Sequence, residues 1–318
     1  SPSLIWATGV LIAARAVAFG LYYASAAQVS PPLRRPMGIT RSHLRPLLSF
    51  GGWLTVTNII GPLMVYFDRF FIGAMMNMTA VAYYVTPYDV LSRLQMLPQS
   101  IMGVLFPALS ATIAGDRARL PRLYGQTSRV LFLAMLPVMS GIFLFAPEAL
   151  QLWLGAEFRN AATPVVHWLA LGWMVNVLAR SPFTVLQSAG RPDLVAKTHA
   201  TELIPYAVVL WVLTQNFGIV GTAAAWFLRV LADTLILNEI ARRQLQDLGS
   251  LVARTYLVIA GLLGGFFVAW LLDALILKAL LFLAIAATSA FLLWRSVLSL
   301  RGAGRARSRP SLAGEPMS

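Results

Sequence analysis

Long apolar runs recur along the whole chain, and short segments rich in Arg, Gly, Pro and polar residues separate them. A helix needs about 20 apolar residues to cross the hydrocarbon core of a bilayer. The runs therefore predict an all-α fold, a polytopic membrane helix bundle of about nine transmembrane helices. Their approximate limits are 4–25, 47–73, 79–111, 127–146, 162–187, 196–214, 219–240, 253–272 and 277–296. The third is long enough to tilt or to end in an interfacial stretch.

Composition agrees with this class of protein. Hydrophobic residues make up 58% of the 318 residues and charged residues 12%, whereas a soluble domain carries roughly 25% charged residues. The net charge of +13 lies mostly in the short connections rather than in a basic stripe with stacking aromatics, which argues against nucleic-acid binding. The chain has no cysteine, so we expect no disulfide and no thiol chemistry.

Connections rich in Arg and Lys alternate along the chain with connections that have few or none, and this pattern predicts the orientation of the protein in the membrane. The basic connections are 26–46, 112–126, 188–197, 241–254 and the tail 301–318, whereas 74–78 and 215–218 have no basic residue. Cytoplasmic loops carry such an excess, so we predict an inner-membrane protein with a cytoplasmic C-terminus. Ser1 then lies on the outer side, and we expect an odd number of helices, five, to be missing upstream. The Gly-, Pro-, Ser- and Arg-rich tail is predicted to be disordered and to lie on anionic phospholipids.

Ionisable residues inside the predicted spans are the candidates for function. Each costs about 2.5–3.5 kcal/mol at the bilayer centre, so most must face protein or water. These candidates are Arg15, Asp68, Arg69, Asp89, Arg93, Arg180, Glu202, Arg229 and Asp233. We predict a helix bundle that encloses a hydrated cavity.

Two pairs of these residues have the i,i+4 spacing of neighbours on one helix face, Asp89 with Arg93 and Arg229 with Asp233. Such pairs neutralise each other and help a helix insert. In the alternative interpretation, the arginines point into the cavity and meet anionic groups of a ligand. Arginine suits that role because its planar fork binds phosphate bidentately and stays ionised.

The remaining candidates have no such partner within their own helix. Arg15 and Arg180 lie near the middle of their spans, and we expect them to face the cavity or to bridge to an acidic residue of another helix, Glu202 or Asp233. Asp68 and Arg69 are adjacent in the outer third of their span, which favours an end-of-helix ion pair or a gate contact. A lone histidine, His167, is expected to be an interfacial residue rather than a proton shuttle.

Motifs for other chemistry are missing from the sequence. It has no Gly-rich P-loop followed by Lys and Ser or Thr, and no cluster of His or carboxylates with the spacing of metal ligands. The longest outer connection, 147–161, offers only Glu148 and Glu157, too little for an outer catalytic domain. We expect no enzyme activity, no cofactor and no metal.

The segment from Leu47 to Ser110 carries a specific set of motifs. They are Phe50-Gly51-Gly52-Trp53, Asn58, Tyr66-Phe67-Asp68-Arg69, Ile72-Gly73, Val81-Ala82-Tyr83-Tyr84, Pro87-Tyr88-Asp89, Arg93, Pro98 and Phe106-Pro107-Ala108-Leu109-Ser110, followed downstream by Leu152-Trp153-Leu154-Gly155 with Phe158. In order and spacing they resemble Wzx-type polysaccharide and O-antigen flippases of the multidrug/oligosaccharidyl-lipid/polysaccharide exporter superfamily. The resemblance covers residues 1–245, and the last two spans loosely.

This resemblance implies two six-helix lobes around a central cavity, often followed by two further helices. It assigns 1–46 to the last helix of the first lobe and a cytoplasmic linker, 47–245 to the second lobe and 246–300 to the extra pair. It also implies alternating-access transport of undecaprenyl-pyrophosphate-linked oligosaccharide, with a possible link to glycan polymerase or export machinery. The expected phosphate-binding residues are Arg15, Arg93, Arg180 and Arg229, with Asp68, Arg69, Asp89, Glu202 and Asp233 as charge partners or gate residues.

Other functions remain open from the sequence. A lipid II flippase or a drug/cation antiporter of the same superfamily would keep the fold and change the cargo, although the mid-span charges here lean basic. A membrane glycan ligase, polymerase or glycosyltransferase would be expected to carry a large outer loop with catalytic residues. A non-transporting structural remnant is the last alternative.

Overall fold

The computed structural model describes residues 2–29, 41–272 and 274–307, and these residues are almost entirely helical. Their helices are α1 (Pro2–Val29), α2 (Arg41–Met75), α3 (Met78–Arg93), α4 (Met96–Gly115), α5 (Leu120–Leu144), α6 (Ala146–Leu154), α7 (Ala156–Ser188), α8 (Pro192–Gln244), α9 (Gly249–Trp270) and α10 (Leu275–Arg307). Short 3₁₀ turns at Arg117–Arg119 and Gln246–Leu248 lead into α5 and α9. The all-α membrane bundle predicted from the apolar runs is confirmed.

The chain divides into two compact units, Ser1–Gly51 and Gly52–Ser318. The first unit contains α1 and the first turns of α2, and the side chains described on α1 are nearly all exposed. Arg34 and Arg35 of the predicted basic linker lie outside the described residues. The second unit contains every helix from most of α2 onward, and the following paragraphs concern it alone.

The third predicted span forms two consecutive helices, α3 and α4. The side chain of Asn77 accepts a hydrogen bond from the amide of Ala80 at 2.8 Å and caps the start of α3. The regular series of helical backbone hydrogen bonds is interrupted near Leu94, because Pro98 has no N–H to donate to the Leu94 carbonyl four residues earlier. The amides of Leu94 and Gln95 instead bond three residues back, to Leu91 and Ser92. The bend therefore has a local cause in the sequence.

Helix α8 is a hairpin of two arms rather than one rod. Its 53 residues would extend about 80 Å as a straight helix, far more than a bilayer core. Gly218 has φ 58° and ψ −141°, a conformation that side-chain-bearing residues rarely adopt. Beyond it the chain reverses, so that the hydroxyl oxygens of Thr214 and Thr222 lie 2.8 Å apart. The first arm, 192–217, and the second arm, 219–244, correspond to the two spans predicted at 196–214 and 219–240.

The predicted number of spans agrees with the described helices once this hairpin is recognised. Eight helical segments are long and apolar enough to cross a membrane, with 78–115 and 192–244 each taken as one. Counting the two arms of α8 separately gives nine. The last helix, α10, reaches Arg307, beyond the predicted end of its span, and the rest of the predicted tail, 308–318, lies outside the described residues.

Helix α7 organises the second unit because its neighbours surround most of its length. It packs against α3, α4, α5, α6, both arms of α8 and α9. Its core residues Leu169 and Met174 are fully buried. Without a hydrophobic driving force inside the bilayer, such packing depends on close van der Waals contact. A central helix in contact with several others gives the unit its rigidity.

The short helix α6 and the N-terminal end of α10 are joined at one end of the unit. Lys278 is buried and donates to Glu148 of α6 at 3.0 Å. Leu152 and Trp153 at the end of α6 are exposed, at 91% and 61%. A short helix that exposes large apolar side chains suits the membrane interface. It is the segment expected between the spans at 127–146 and 162–187.

The hairpin predicts a specific sensitivity at Gly221. A Cβ atom there would lie 1.9 Å from the carbonyl oxygen of Leu213 on the other arm. We expect Gly221→Ala to separate the arms, and overpacking of this kind costs about 1–3 kcal/mol. The apparent melting temperature of the full-length protein in detergent should fall by several degrees.

Gly103→Ala is the matched control, because nothing lies within 4 Å of a Cβ at that helical position. Alanine is favoured over glycine in a helix by about 1 kcal/mol, so the control should melt at the same temperature or slightly higher. Equal melting of the two variants would contradict the hairpin packing.

A buried charged network as candidate functional site

Asp68 is the most deeply buried of the candidate residues. Its carboxylate has no exposed surface and accepts hydrogen bonds from the hydroxyls of Tyr84, at 2.7 Å, and Tyr206. These three residues belong to α2, α3 and the first arm of α8, so one carboxylate connects three helices. The expected ion pair between Asp68 and the adjacent Arg69 is wrong. Successive residues of a helix point in different directions, and the two side chains meet different neighbours.

Arg69 pairs with Asp89 of α3, with Nη2 2.5 Å from Oδ1. Its guanidinium also lies 5.8 Å from the ring centroids of Tyr66 and Tyr88, a cation–π arrangement. The pairing of Asp89 with Arg93 is therefore wrong. Arg93 lies in the last turn of α3, where the helix bends, and is exposed, whereas the neighbouring helix presents a closer guanidinium to Asp89.

Arg229, on the second arm of α8, has no carboxylate of the described residues within ion-pair distance. Its Nη1 lies 3.2 Å from the sulfur of Met64, and its guanidinium lies 5.5 Å from the ring centroid of Tyr206. Its charge interacts over a longer range with Asp68 and Glu202. A cation held against sulfur and an aromatic face keeps much of its hydrogen-bonding capacity for another group.

The second predicted i,i+4 pair, Arg229 with Asp233, is also wrong. Asp233 is 6% exposed, and its Oδ1 lies 3.2 Å from Nε2 of His199 on the first arm. Arg229 turns to Met64 and Tyr206 instead, so the two members of the expected pair meet different helices. Sequence analysis missed His199, although a histidine three residues before Glu202 lies on the same helix face.

Arg180 lies about 12 Å from the C-terminal end of α7, and its Nη2 donates to Oε1 of Gln95 at 3.2 Å. Gln95 stands at the α3–α4 bend and is 2% exposed. Arg180 forms no direct ion pair with Glu202 or Asp233, although it interacts electrostatically with Asp233. Gln95 was missed because a glutamine in an apolar span carries no charge to mark it.

Several polar atoms of this group are buried without a hydrogen-bond partner among the described residues. They are Nε of Arg69, Arg180 and Arg229, Nε2 of Gln95, Nδ1 of His199, Oδ1 of Asp233 and both carboxylate oxygens of Glu202. Nε1 of Trp173 and Oδ1 of Asn176, both on α7, are also buried without a hydrogen-bond partner among these residues. Buried polar atoms are nearly always hydrogen-bonded, so this part of the molecule is built to contact water, a ligand or further protein. We call the set Asp68, Arg69, Asp89, Gln95, Arg180, His199, Glu202, Arg229 and Asp233 the charged network.

The charged network does not include Arg15, Arg93 or His167. Arg15 belongs to the first unit, where it is exposed on α1. His167 stacks on the ring of Phe143 with centroids 4.3 Å apart and lines a cavity of about 760 Å³ between α7, the second arm of α8 and α9. A cavity of about 450 Å³ lies between α5, α9 and α10. Neither of these cavities is lined by Arg69, Arg180 or Arg229, so the hydrated chamber around the arginines stays a prediction.

Nine apolar spans with charged side chains held between them define a multi-pass α-helical membrane protein. Comparison with known proteins gives the family. The profile of the family described as polysaccharide biosynthesis protein matches residues 5–163, half of the chain. The chain belongs to this family, which confirms the resemblance inferred from its motifs.

Individual relatives agree with this membership. A Shigella flexneri protein assigned as an O-antigen transporter is 34% identical over 197 residues, which are 62% of this chain and 47% of that protein. A Haloferax volcanii protein assigned as the low-salt glycan biosynthesis flippase Agl15 is 22% identical over 213 residues, 66% of this chain and 44% of that protein. The chain thus spans about half the length of these two relatives.

The fold also has a match among solved structures. The lipid II flippase MurJ in an inward closed conformation aligns with a TM-score of 0.50 and 14% identity, covering 83% of this chain and 58% of that one. At this identity the match concerns the fold alone.

The hydrogen bonds to Asp68 predict a difference between two adjacent tyrosines. Tyr84→Phe removes a donor from a fully buried carboxylate, and an unsatisfied buried group costs about 1–3 kcal/mol, more when charged. Tyr83→Phe removes an exposed hydrogen bond to Glu157, and surface changes stay within about 0.5 kcal/mol. The unfolding temperature of the full-length protein in detergent should fall clearly with Tyr84→Phe and little with Tyr83→Phe. Equal unfolding temperatures would show that Asp68 does not depend on its tyrosines.

Proposed function

We propose that this chain is the larger C-terminal part of a flippase that moves undecaprenyl-pyrophosphate-linked oligosaccharide across the bacterial inner membrane by alternating access. Family membership and the assignments of the two relatives support this proposal. In this assignment α1 is the last helix of the first lobe. The six spans from α2 through the second arm of α8 form the second lobe, and α9 and α10 are the additional pair.

The charged network is the observation that carries the proposal. Stability alone gives little reason to bury these groups, because replacing a buried ion pair by apolar residues of similar volume is often neutral or stabilising. Ionisable residues inside membrane spans usually mark pathways for ions or substrates. Here three arginines whose Nε atoms have no partner in the described part of the chain lie in one helical unit. Such a set is suited to an anionic cargo.

Each part of the cargo would meet a different environment. The pyrophosphate would be held by the arginines, since guanidinium forks bind phosphate oxygens bidentately. We assign this role to Arg180 and Arg229 and extend it to Arg15 and Arg93, which are exposed in this chain. The polar glycan would occupy water between the lobes, while the polyprenyl tail would stay in lipid.

The distribution of arginine supports an orientation for this transporter. The turn at 117–119, the end of α8 with Arg242 and Arg243, and the connection at Arg191 are basic, whereas the α2–α3 turn and the turn at Gly218 are not. We assign the basic side and the C-terminus to the cytoplasm. Anionic phospholipids would contact that side. Glycan polymerase or export machinery would receive the product on the other.

A lipid II flippase is the second candidate, favoured by the fold shared with MurJ. Both candidates carry a polyprenyl pyrophosphate and differ in the glycan. A drug/cation antiporter fits less well because cationic cargo would be repelled by the arginines. Rescue of surface glycan display in a strain lacking its own flippase, without rescue of a strain lacking its lipid II flippase, would separate the first two.

Arg180 gives the sharpest functional prediction. In the full-length protein, Arg180→Gln removes the cation but keeps a side chain that can hydrogen-bond, and one charge-assisted hydrogen bond to phosphate contributes about 1.5–3 kcal/mol. We expect glycan export to fall by at least tenfold, as measured by surface glycan display at matched protein levels.

Arg122→Gln is the control, because Arg122 is exposed in the first turn of α5 and forms no ion pair among the described residues. It should export normally. Arg180→Lys should retain more export than Arg180→Gln, since it keeps the charge without the fork. Normal export by Arg180→Gln at equal abundance would remove Arg180 from the cargo site.

A further inference from the structure

The cavity of about 760 Å³ beside α9 has an amphipathic lining. Arg159, Asn160 and Thr163 line one end, on the first turns of α7. Deeper along the same helix the lining becomes aromatic and aliphatic, with Trp168 and Leu171. The second arm of α8 adds Val220, Phe227 and Leu231, and α9 adds a third apolar wall, including Phe266 and Trp270. The volume lies in the range of small-molecule binding sites.

The length of this cavity corresponds to one leaflet of a bilayer. Arg159 and Leu171 are twelve residues apart on α7, which separates their backbones by about 18 Å. Half of a hydrocarbon core of about 30 Å is roughly 15 Å. The polar end also coincides with the turn at Gly218 and the end of α9, which the arginine pattern assigns to the outer side. A molecule that fills the cavity would therefore have its polar group at the headgroup level and its apolar part within the outer leaflet.

The polar end of the cavity carries an available positive charge. Among the described residues, the two carboxylates nearby are engaged elsewhere, since Glu148 pairs with Lys278 at 3.0 Å and Glu157 accepts a hydrogen bond from Tyr83 at 2.6 Å. Arg159 forms no ion pair among the described residues, and it is exposed at the mouth of the cavity. The N-cap residue of α7 is Gly155, which has no side chain to cap the first amides of the helix, and the orientation of these amides favours an anion. Both features favour a phosphate.

We infer that this cavity is a binding site for a glycerophospholipid of the outer leaflet. Its phosphate lies against Arg159 and Asn160, and one acyl chain follows the aromatic wall between α7, α8 and α9. The bound lipid fills the space between the second arm of α8 and α9 and holds the additional helices to the bundle. This site is separate from the charged network and does not depend on the transport proposed above.

The test compares how tightly three soluble or dispersed probes bind to the delipidated full-length protein in detergent. Phosphatidylglycerol, a diacylglycerol with the same chains and glycerol phosphate are each titrated, and bound probe is counted by native mass spectrometry. We expect one phosphatidylglycerol per chain to bind much more tightly than either of the other probes, because each of those lacks one of the two contacts. Equal binding of the diacylglycerol would remove Arg159 from the site.

Two arginine variants locate the binding site. Arg159→Gln should weaken phosphatidylglycerol binding about tenfold, the effect of losing one charge-assisted hydrogen bond to a phosphate. Arg122→Gln, a control at the other end of the helices, should bind as the unaltered protein does. Thr163→Trp should block the cavity and remove binding with Arg159 still present. The proposal would be overturned if both arginine variants lost phosphatidylglycerol affinity equally, or if neither lost any.

The identity of the occupant is tested by competition. Undecaprenyl phosphate should not displace phosphatidylglycerol at comparable concentration if the site belongs to a resident phospholipid. Preferential binding of the polyprenyl lipid, abolished by Thr163→Trp, would overturn the phospholipid assignment and make the cavity part of the cargo route.

Discussion

The cost of burying charge in a bilayer is the constraint on which the rest of this structure depends. A membrane span that carries Asp68 and Arg69, or Arg229 and Asp233, inserts only if other helices receive these side chains. The structure meets this requirement between helices. Asp68 is bound by tyrosines from two other helices, Arg69 by a carboxylate of α3 and Arg180 by an amide at the α3–α4 bend. The charged network thus adds polar contacts between α2, α3, α7 and α8 to the apolar packing around α7.

The residues of the charged network differ in how completely their polar atoms are hydrogen-bonded or ion-paired, and we relate this difference to function. Asp68 and Asp89 have close partners. Within the described ranges, neither oxygen of Glu202 has a hydrogen-bond partner, and Arg229 lies against the sulfur of Met64 and the ring of Tyr206. A purely structural network would be expected to leave few groups unsatisfied, because each one costs free energy. The unsatisfied groups lie on α2, at the α3–α4 bend, on α7 and on both arms of α8, the helices proposed above to form the second lobe. We therefore interpret them as groups that meet water or cargo in the full-length protein.

Local sequence predicted the spans well and the contacts of their charged residues poorly. Apolar run lengths depend on one stretch of chain, so they revealed the bundle and the two arms of α8 as separate spans. The third span was predicted as one, 79–111, and its division into α3 and α4 beside Pro98 was not predicted. The partner of Asp89 and the partner of Arg229 each depend on which helix lies opposite, whereas the i,i+4 rule considers neighbours within one helix. His199 and Gln95 were missed for the same reason, since their importance comes from Asp233 and Arg180 on other elements. The family resemblance could supply a cargo class but not these partners.

The central claim is that the arginines border a wet chamber that anionic cargo enters. The chain contains no cysteine, so single cysteines can report on this directly once any in the remainder of the full-length protein are removed. Asn176 lies one helical turn before Arg180 on the same face, whereas Val175 is fully buried in the core. A cationic methanethiosulfonate should label Asn176→Cys but not Val175→Cys, and lipid-linked oligosaccharide should slow the labelling. Failure of Asn176→Cys to react, or reaction at the same rate with and without cargo, would contradict the account.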